Sequence, residues 1–308
     1  MKTAPIALFV YNRPLHTRRT VEALQRNRFA SASDLYIFSD GPRTPDSLPA
    51  VGAVREYIRG VTGFRTVSIH ERPQNVGLAN SIIAGVTQLC GSSGRVIVLE
   101  DDLVTCGHFL QFMNEALELY ESCDSVASIH GYWYPVTGRL PETFFLKIPS
   151  SWGWATWSRA WQLFEPDGRK LLAELHRRRL AKTFDFDGAM PYTRILEHQI
   201  AGKSDSWAIR WDAAVFLAGK LSLYPGTSLV KNIGFDGTGR HSGISAAFDV
   251  DLPAEPIGVA PVPIMESAEA RAALIEYYRA KNSGLLPRLA NRLRHLGFRA
   301  VRSSGGAK

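Results

Sequence analysis

The segment Val96-Ile97-Val98-Leu99-Glu100-Asp101-Asp102 sets a continuous apolar run directly against three consecutive carboxylates. Such a run reads as a strand buried on both faces, so the acids stand where the backbone leaves the core. Three adjacent carboxylates repel one another there, and a bound cation relieves the repulsion. A hard divalent ion, Mg²⁺ or Mn²⁺, takes one or two carboxylates and completes its shell with water and phosphate oxygens. Side chains alternate along an extended backbone, so Glu100 and Asp102 are expected on one side and Asp101 on the other. Asp102 lies furthest out of the strand and is the expected direct ligand, with Glu100 beside it. A solvated strand end is the ordinary alternative for an acidic cluster.

Other segments carry residue types suited to a polar ligand. Ile6–Val10 runs into Tyr11-Asn12-Arg13-Pro14, and Leu35–Phe38 runs into Ser39-Asp40-Gly41-Pro42. A guanidinium at a strand end suits phosphate oxygens through paired hydrogen bonds, although Arg13 also reads as a surface residue ahead of a turn-forming proline. A carboxylate accepts an N–H, and Asp40-Gly41-Pro42 is equally good turn chemistry. Trp152 and Trp154 flank Gly153, whose missing side chain admits close approach of a ligand; aromatic faces stack on the apolar side of sugar rings, and core packing is the alternative. Trp157 and Trp161, four apart on an expected helix, are assigned to packing. Asp205, in the polar stretch Lys203–Ser206, and Asp212, on a helical stretch with Val215 and Phe216, are free to act as a base; an exposed or capping role is the alternative for Asp212.

The elements that must position these residues alternate. Strands are expected at Ile6–Val10, Leu35–Phe38, Thr66–His70 and Val96–Leu99. Between them lie helical stretches carrying Val21 and Leu24, then Val51, Val54 and Ile58, then Leu78, Ile82, Ile83 and Val86. Strand–helix alternation of this kind predicts an α/β fold with a mainly parallel, doubly wound central sheet flanked by helices, and ligands in such sheets gather at the carboxyl ends of the strands. The second half is less regular, with aromatic clusters, short amphipathic helices and a Gly-rich polar stretch through Asn232–His241. We expect a catalytic domain over residues 1–250, a Pro-rich linker and a helix over 251–280, and a basic amphipathic tail over 281–308.

The strand ending in Glu-Asp-Asp, the first strand ending in Asn-Arg-Pro and the second ending in Ser-Asp-Gly resemble the nucleotide-sugar-dependent glycosyltransferases of the GT-A fold. The likeness is to the family 2 enzymes and to N-acetylglucosaminyltransferase I, over about residues 4–245. It implies the GT-A fold, a nucleoside-diphosphate-sugar donor, expected to be a UDP-sugar, and a metal motif at Glu100-Asp101-Asp102. By the same resemblance Arg13 contacts the diphosphate or ribose, Asp40 accepts the imide N–H of uracil, and Asn80 and Asp101 face the nucleotide. Ser151-Trp152-Gly153-Trp154-Ala155 resembles the segment lining the sugar and acceptor pocket; His241 would lie in a loop that closes over the donor, held to the metal or diphosphate. Asp205-Ser206-Trp207 resembles the segment that supplies the catalytic base, with Ser206 where the family has a second acid; Asp212 is the other candidate. The expected activity is inverting transfer of a sugar to a hydroxyl of a saccharide, or of a glycan carried on a lipid. The alternatives are a nucleotidyltransferase on a similar sheet, which calls for a Gly-rich, Arg-ending loop after the first strand, and a carbohydrate-binding protein without turnover.

Composition bounds the partners. The 308 residues are 45% hydrophobic and 21% charged, which excludes wholesale disorder. The net charge of +7 resides in the tail: Lys281, Arg288, Arg292, Arg294, Arg299, Arg302 and Lys308 face no acid there, leaving 29 basic and 29 acidic residues before them. A neutral domain argues against a nucleic-acid partner. Leu285, Leu286, Leu289, Leu293 and Leu296 recur at helical spacing among those arginines, the pattern of a helix that lies on an anionic membrane surface or packs on its own domain. Cys90, Cys106 and Cys123 form no paired motif and read as reduced thiols; with no apolar run long enough to span a bilayer, we expect a cytoplasmic protein, peripheral at most on the inner face of the membrane.

Overall fold

The computed structural model describes residues 2–238 and 244–283. The chain runs β1 (Ile6–Val10), α1 (Pro14–Gln25), β2 (Asp34–Ser39), α2 (Leu48–Arg59), β3 (Thr66–Glu71), α3 (Leu78–Ser93), β4 (Arg95–Glu100), β5 (Leu103–Thr105) and α4 (Phe109–Leu119). It continues through β6 (Val126–His130), β7 (Thr143–Leu146), β8 (Trp154–Trp157), α5 (Ser158–Trp161), α6 (Gly168–Arg177), α7 (Ala181–Phe184) and α8 (Tyr192–Ile200). The last elements are α9 (Trp207–Leu217), β9 (Leu221–Pro225), β10 (Val230–Asn232) and α10 (Ala268–Asn282).

Eight strands form one sheet in the order β3-β2-β1-β4-β8-β6-β9-β7. All but β8 and β7 point the same way: β1 to β4 pair in parallel, β8 runs antiparallel to both β4 and β6, β9 lies parallel to β6, and β7 is antiparallel to β9. This is the expected mixed α/β architecture, an eight-stranded central sheet flanked by helices, consistent with a GT-A-like fold. The sheet is buried on both sides because side chains alternate along its strands. Ile6, Leu8 and Val10 face α1, α2 and α4, while Ala7 and Phe9 face α3, α5 and α9. On the α3 side the fit is close. A Cβ on Gly85 would lie 2.7 Å from Cζ of Phe9, so this helix reaches the sheet only because the position carries no side chain.

The strand order reverses at β1. The chain steps outward through β2 and β3, then returns to place β4 on the other side of β1, with Phe9 opposite Glu100. In a parallel sheet such a reversal opens a crevice at the carboxyl ends of the two strands.

The segment expected to be a linker is part of the domain. Leu252, Ile257, Val259 and Val262 pack half-buried against the main core, and Glu266 forms a bridge to Phe145 in β7. On α10, Ala270, Leu274, Tyr277 and Tyr278 are buried against the β7–β9 end of the sheet and α6 to α8. The Pro-rich composition marked irregular backbone correctly, but its apolar residues cross the core surface instead of spanning solvent. Trp157 is also not helical: it closes β8, with Trp161 in the short helix that follows. Among the described residues no helix is long and apolar enough to cross a membrane. The Leu/Arg tail and His241 lie outside the described residues.

Two glycines of α3 separate packing from propensity. Gly85→Val is expected to destabilise by about 1–3 kcal/mol through overpacking against Phe9 and Phe38. Gly91→Ala, with open space around its Cβ, is expected to stabilise by about 0.5–1 kcal/mol. Urea unfolding of the two variants checks both signs.

Candidate active site

The crevice between β1 and β4 gathers Arg13 and the acidic motif. Arg13 Nη2 donates to Asp102 Oδ2 at 3.0 Å and to Asp101 Oδ1. Asp101 is buried; its Oδ2 accepts from the backbone N–H of Tyr11 at 3.4 Å and its carbonyl accepts from Thr20 Oγ1 at 2.8 Å. Asp101 and Asp102 thus share one guanidinium, which differs from strict alternation because the strand ends at Glu100 and the next two residues turn. Arg13 is not the surface residue given as its alternative, and the Nη2 expected to meet a diphosphate or ribose points at the two aspartates. Burial works against the Arg13 cation, and Asp101 and Asp102 outweigh it.

The cluster carries excess negative charge. Withdrawal from water pushes the Glu100 carboxyl up to about 8, with Asp102 and Asp101 adding to the rise. Burial likewise pushes Asp101 up to about 6 against the pull of Arg13. Among the described residues no three His, Cys, Asp or Glu side chains are grouped to enclose a metal by themselves. The donor set fits a divalent ion held in the open manner, by one or two carboxylates with ligand phosphates, because three acids face one guanidinium. The Gly234 backbone packs directly against this corner: a Cβ there would lie 2.2 Å from Asp102 Oδ2 and 3.1 Å from Arg13 Nη1, so only glycine fits.

A second short sheet roofs this corner. β5 leaves the acidic motif and pairs antiparallel with β10, after which the Ile233 N–H donates to the Asp102 carbonyl at 2.8 Å. The chain then passes over α1, where Asp236 Oδ2 lies 3.1 Å from His16 Nε2. His16 and Asp236 carry no local sequence signal, since only the β5–β10 pairing brings them together.

Several expected ligand residues are placed otherwise. Asp40 is buried, its Oδ1 accepting from the N–H groups of Gly41 and Val76 and its Oδ2 from that of Gly77, at 2.9–3.0 Å. It pins the end of β2 to the start of α3, and Asn75 Nδ2 donating to the Gly41 carbonyl at 2.9 Å adds a second tie. Turn chemistry therefore occupies the carboxylate expected to read a base. Asn80 is exposed on the first turn of α3, its Nδ2 donating back to the Val76 carbonyl at 2.9 Å. Trp154 is fully buried, paired across β8 with Val98 and stacked on Trp207 with centroids 5.3 Å apart, so no ring face is free for a sugar. Gly153, at φ +66°, makes its close approach to Val230 and Phe109, not to a ligand. Trp152 is half-buried and meets Tyr132, Phe235 and Phe248 edge-on.

The two base candidates separate cleanly. Asp205 is exposed and precedes α9, which is capped by Ser206 Oγ accepting from the Ile209 N–H at 3.3 Å. Its Oδ1 accepts from Arg210 Nη2 at 3.3 Å. Trp207 stacks on Trp154, whose strand partner Val98 lies two residues before Glu100, so the start of α9 is held at the acidic end of the sheet. Asp212 is neither exposed nor a cap: it is buried, and burial alone holds its carboxyl well above the usual range. With Asp212 buried and its Oδ1 withdrawn from the surface, Asp205 is the candidate that an acceptor hydroxyl can reach.

Two measurements follow from this geometry. Asp40→Ala leaves three backbone N–H groups without their acceptor and is expected to cost about 2–3 kcal/mol in urea unfolding. The folded protein holds the Glu100 proton more tightly than a chain with an ordinary glutamate at 4.5, so this group favours folding below about 4.5 and loses that contribution as pH rises through about 8. Without added metal, stability is expected to fall across that window. Glu100→Gln, which cannot ionise, flattens the fall when unfolding is compared at about pH 5 and about pH 8.5.

No family model and no curated protein matches the chain. Among solved structures, TarS of S. aureus is similar at 13% identity and a TM-score of 0.30, over 45% of this chain and 23% of that one. The likeness spans less than a quarter of TarS and decides nothing about activity.

Proposed function

We propose that the chain transfers a sugar from a nucleoside-diphosphate sugar, a UDP-sugar in our reading, to a saccharide hydroxyl with inversion at the anomeric carbon. The observation that carries this reading is the switch-point crevice, where Arg13 from the end of β1 meets the charge-rich Glu100-Asp101-Asp102 segment at the end of β4, with Asp101 buried and its two neighbours half-buried. Asp102, with Glu100 beside it, would hold Mn²⁺ or Mg²⁺. When bound, the ion supplies charge neutralisation on the diphosphate oxygens as the glycosidic bond breaks.

The chain's own residues do the rest. Arg13 fixes both aspartates in one orientation and offsets part of their repulsion. The Asp40 strut holds the β2 and α3 loops that wall the nucleotide side. Asp205, exposed and paired with Arg210, accepts the proton of the attacking hydroxyl from the face opposite the leaving diphosphate. A nucleotidyltransferase fits less well, since only Tyr11, Asn12 and Arg13 separate β1 from α1 and leave no room for a Gly-rich activating loop.

Incubation with UDP-sugars and Mn²⁺ tests the reading through release of UDP. Asp102→Ala is expected to abolish the metal-dependent release. Asp205→Asn is expected to lower transfer by about 10²–10⁴-fold with an unchanged melting temperature. Activity surviving in Asp102→Ala overturns the metal assignment, and full activity in Asp205→Asn moves the base elsewhere. The acceptor is proposed to be a saccharide, carried on a lipid if the basic tail docks on a membrane. Flotation with anionic vesicles of the full chain against a chain ending at Ser283, which keeps α10 intact, reads the tail alone; equal flotation rejects membrane docking.

A further inference from the structure

Seven large hydrophobic side chains stand exposed among the described residues, and four of them gather at one end of the molecule. Leu15, 74% exposed, is the second residue of α1; Leu48, 55% exposed, opens α2; Leu78, 49% exposed, opens α3. Because β1, β2 and β3 run parallel and each is followed by a helix that returns along the sheet, all three helix starts lie at the carboxyl ends of the strands. Ile244, 86% exposed, joins them. A Cβ on Gly237 would lie 3.2 Å from its Cγ1, and the preceding Asp236 meets His16, the neighbour of Leu15 on α1. The other three, Leu119, Ile264 and Met265, lie at the end of α4 and just before α10.

The loops behind the three leucines are tied to one another. The Arg43 N–H donates to the Tyr11 hydroxyl at 3.1 Å, joining the loops after β1 and β2. Gly41 packs on the Gln74 backbone so closely that a Cβ would lie 2.4 Å from it, joining the loops after β2 and β3. The result is one continuous rim at the mouth of the β1–β4 crevice. Single exposed leucines are ordinary, but four at one end mark an interaction surface.

Charge identifies what it meets. The chain leaves α10 at this same end: Lys281 Nζ lies 4.4 Å from the centre of the Phe248 ring, and that ring lies 4.9 Å from Phe235. Phe235 follows Gly234, which packs on Asp102. The sequence after Ser283 holds Arg288, Arg292, Arg294, Arg299, Arg302 and Lys308 and no acid. Stable attachment to an anionic bilayer takes two signals, an apolar one and a basic one, because either alone is weak. The rim supplies the first and the tail rooted beside it supplies the second. The four apolar residues also come from separate loops around an open crevice. A fluid headgroup layer adapts to contacts set apart in this way, whereas a rigid protein partner must match each of them.

We propose that the carboxyl end of the sheet is the face this protein lays on an anionic bilayer, with Leu15, Leu48, Leu78 and Ile244 entering the headgroup region around the crevice. The crevice then opens toward the lipid surface, and a substrate held there reaches it without leaving the membrane. The inference concerns the domain's own surface and does not depend on the transferase reading.

Flotation of the full chain tests it, with vesicles of phosphatidylcholine and phosphatidylglycerol in equal parts against vesicles of phosphatidylcholine alone. Wild type is expected to float with the first and not with the second. The quadruple variant Leu15→Ser, Leu48→Ser, Leu78→Ser, Ile244→Ser is expected to bind the anionic vesicles about tenfold or more weaker at an unchanged melting temperature. The triple variant Leu119→Ser, Ile264→Ser, Met265→Ser, which removes exposed apolar side chains elsewhere, is expected to float as wild type does. Orientation is read independently, in a Cys123→Ser chain because Cys90 and Cys106 are buried. An environment-sensitive fluorophore on Leu48→Cys is expected to brighten and shift to the blue with anionic vesicles, and the same fluorophore on Leu119→Cys is expected not to change. If the quadruple variant melts lower, this fluorophore pair decides. Flotation of a stable quadruple variant equal to wild type overturns the proposal and leaves binding to the tail alone. Failure of wild type to float, or equal fluorophore responses at positions 48 and 119, also overturns it. A quadruple variant that floats normally but loses self-association in sedimentation overturns it as well and assigns the rim to a second copy of the chain. None of these readouts uses a nucleotide, so failure here is distinct from failure of the transferase reading.

Discussion

The parallel pairing of β1 with β4 is the constraint on which the rest of the site depends. It places the end of one strand, which delivers Arg13, beside the end of another, which delivers three acids. A guanidinium and carboxylates withdrawn from water must find one another, because each alone in the interior is costly. Once they do, the turn after β4 is fixed, and with it the direction in which β5 leaves and the roof that β10 builds over Asp102. The reversal of strand order is therefore both a packing solution and the origin of the crevice.

The second half of the chain serves that crevice from behind. β8 inserts antiparallel between β4 and β6, and its Trp154 meets the tryptophans of α5 and α9 in one aromatic layer. This layer fixes the start of α9, and so Asp205, at the acidic end of the sheet. On the far side α10 and the segment before it cover β7 and the short helices, so the core extends well past the alternating first half.

Much of the first half was legible from pattern alone. Apolar runs such as Ile6–Val10 and Val96–Leu99 became strands with the expected boundaries to within a residue or so, because strands buried on both faces must be apolar throughout. The acidic motif was legible for the complementary reason: three consecutive carboxylates are unexpected beside a core strand. Trp154 was misread because a tryptophan at a sugar site and one in a core look the same in sequence, and the packing of Trp161, Trp207 and Trp211 around it decided the matter. Asp40 was misread because the N–H groups it serves belong to residues 76 and 77, far along the chain.

The sequence by itself determined the order of strands and helices in the first hundred residues, the chemistry available at those strand ends and the place of the excess charge, since these follow from local periodicity and side-chain type. Only the tertiary structure decided which carboxylates meet a cation, which are consumed by backbone amides and which are buried. Asp40, Asp102, Asp205 and Asp212 are the same residue type with four different surroundings. Ionisation and reactivity are set by desolvation and by neighbours brought from elsewhere in the chain, and neither is written in the residues on either side.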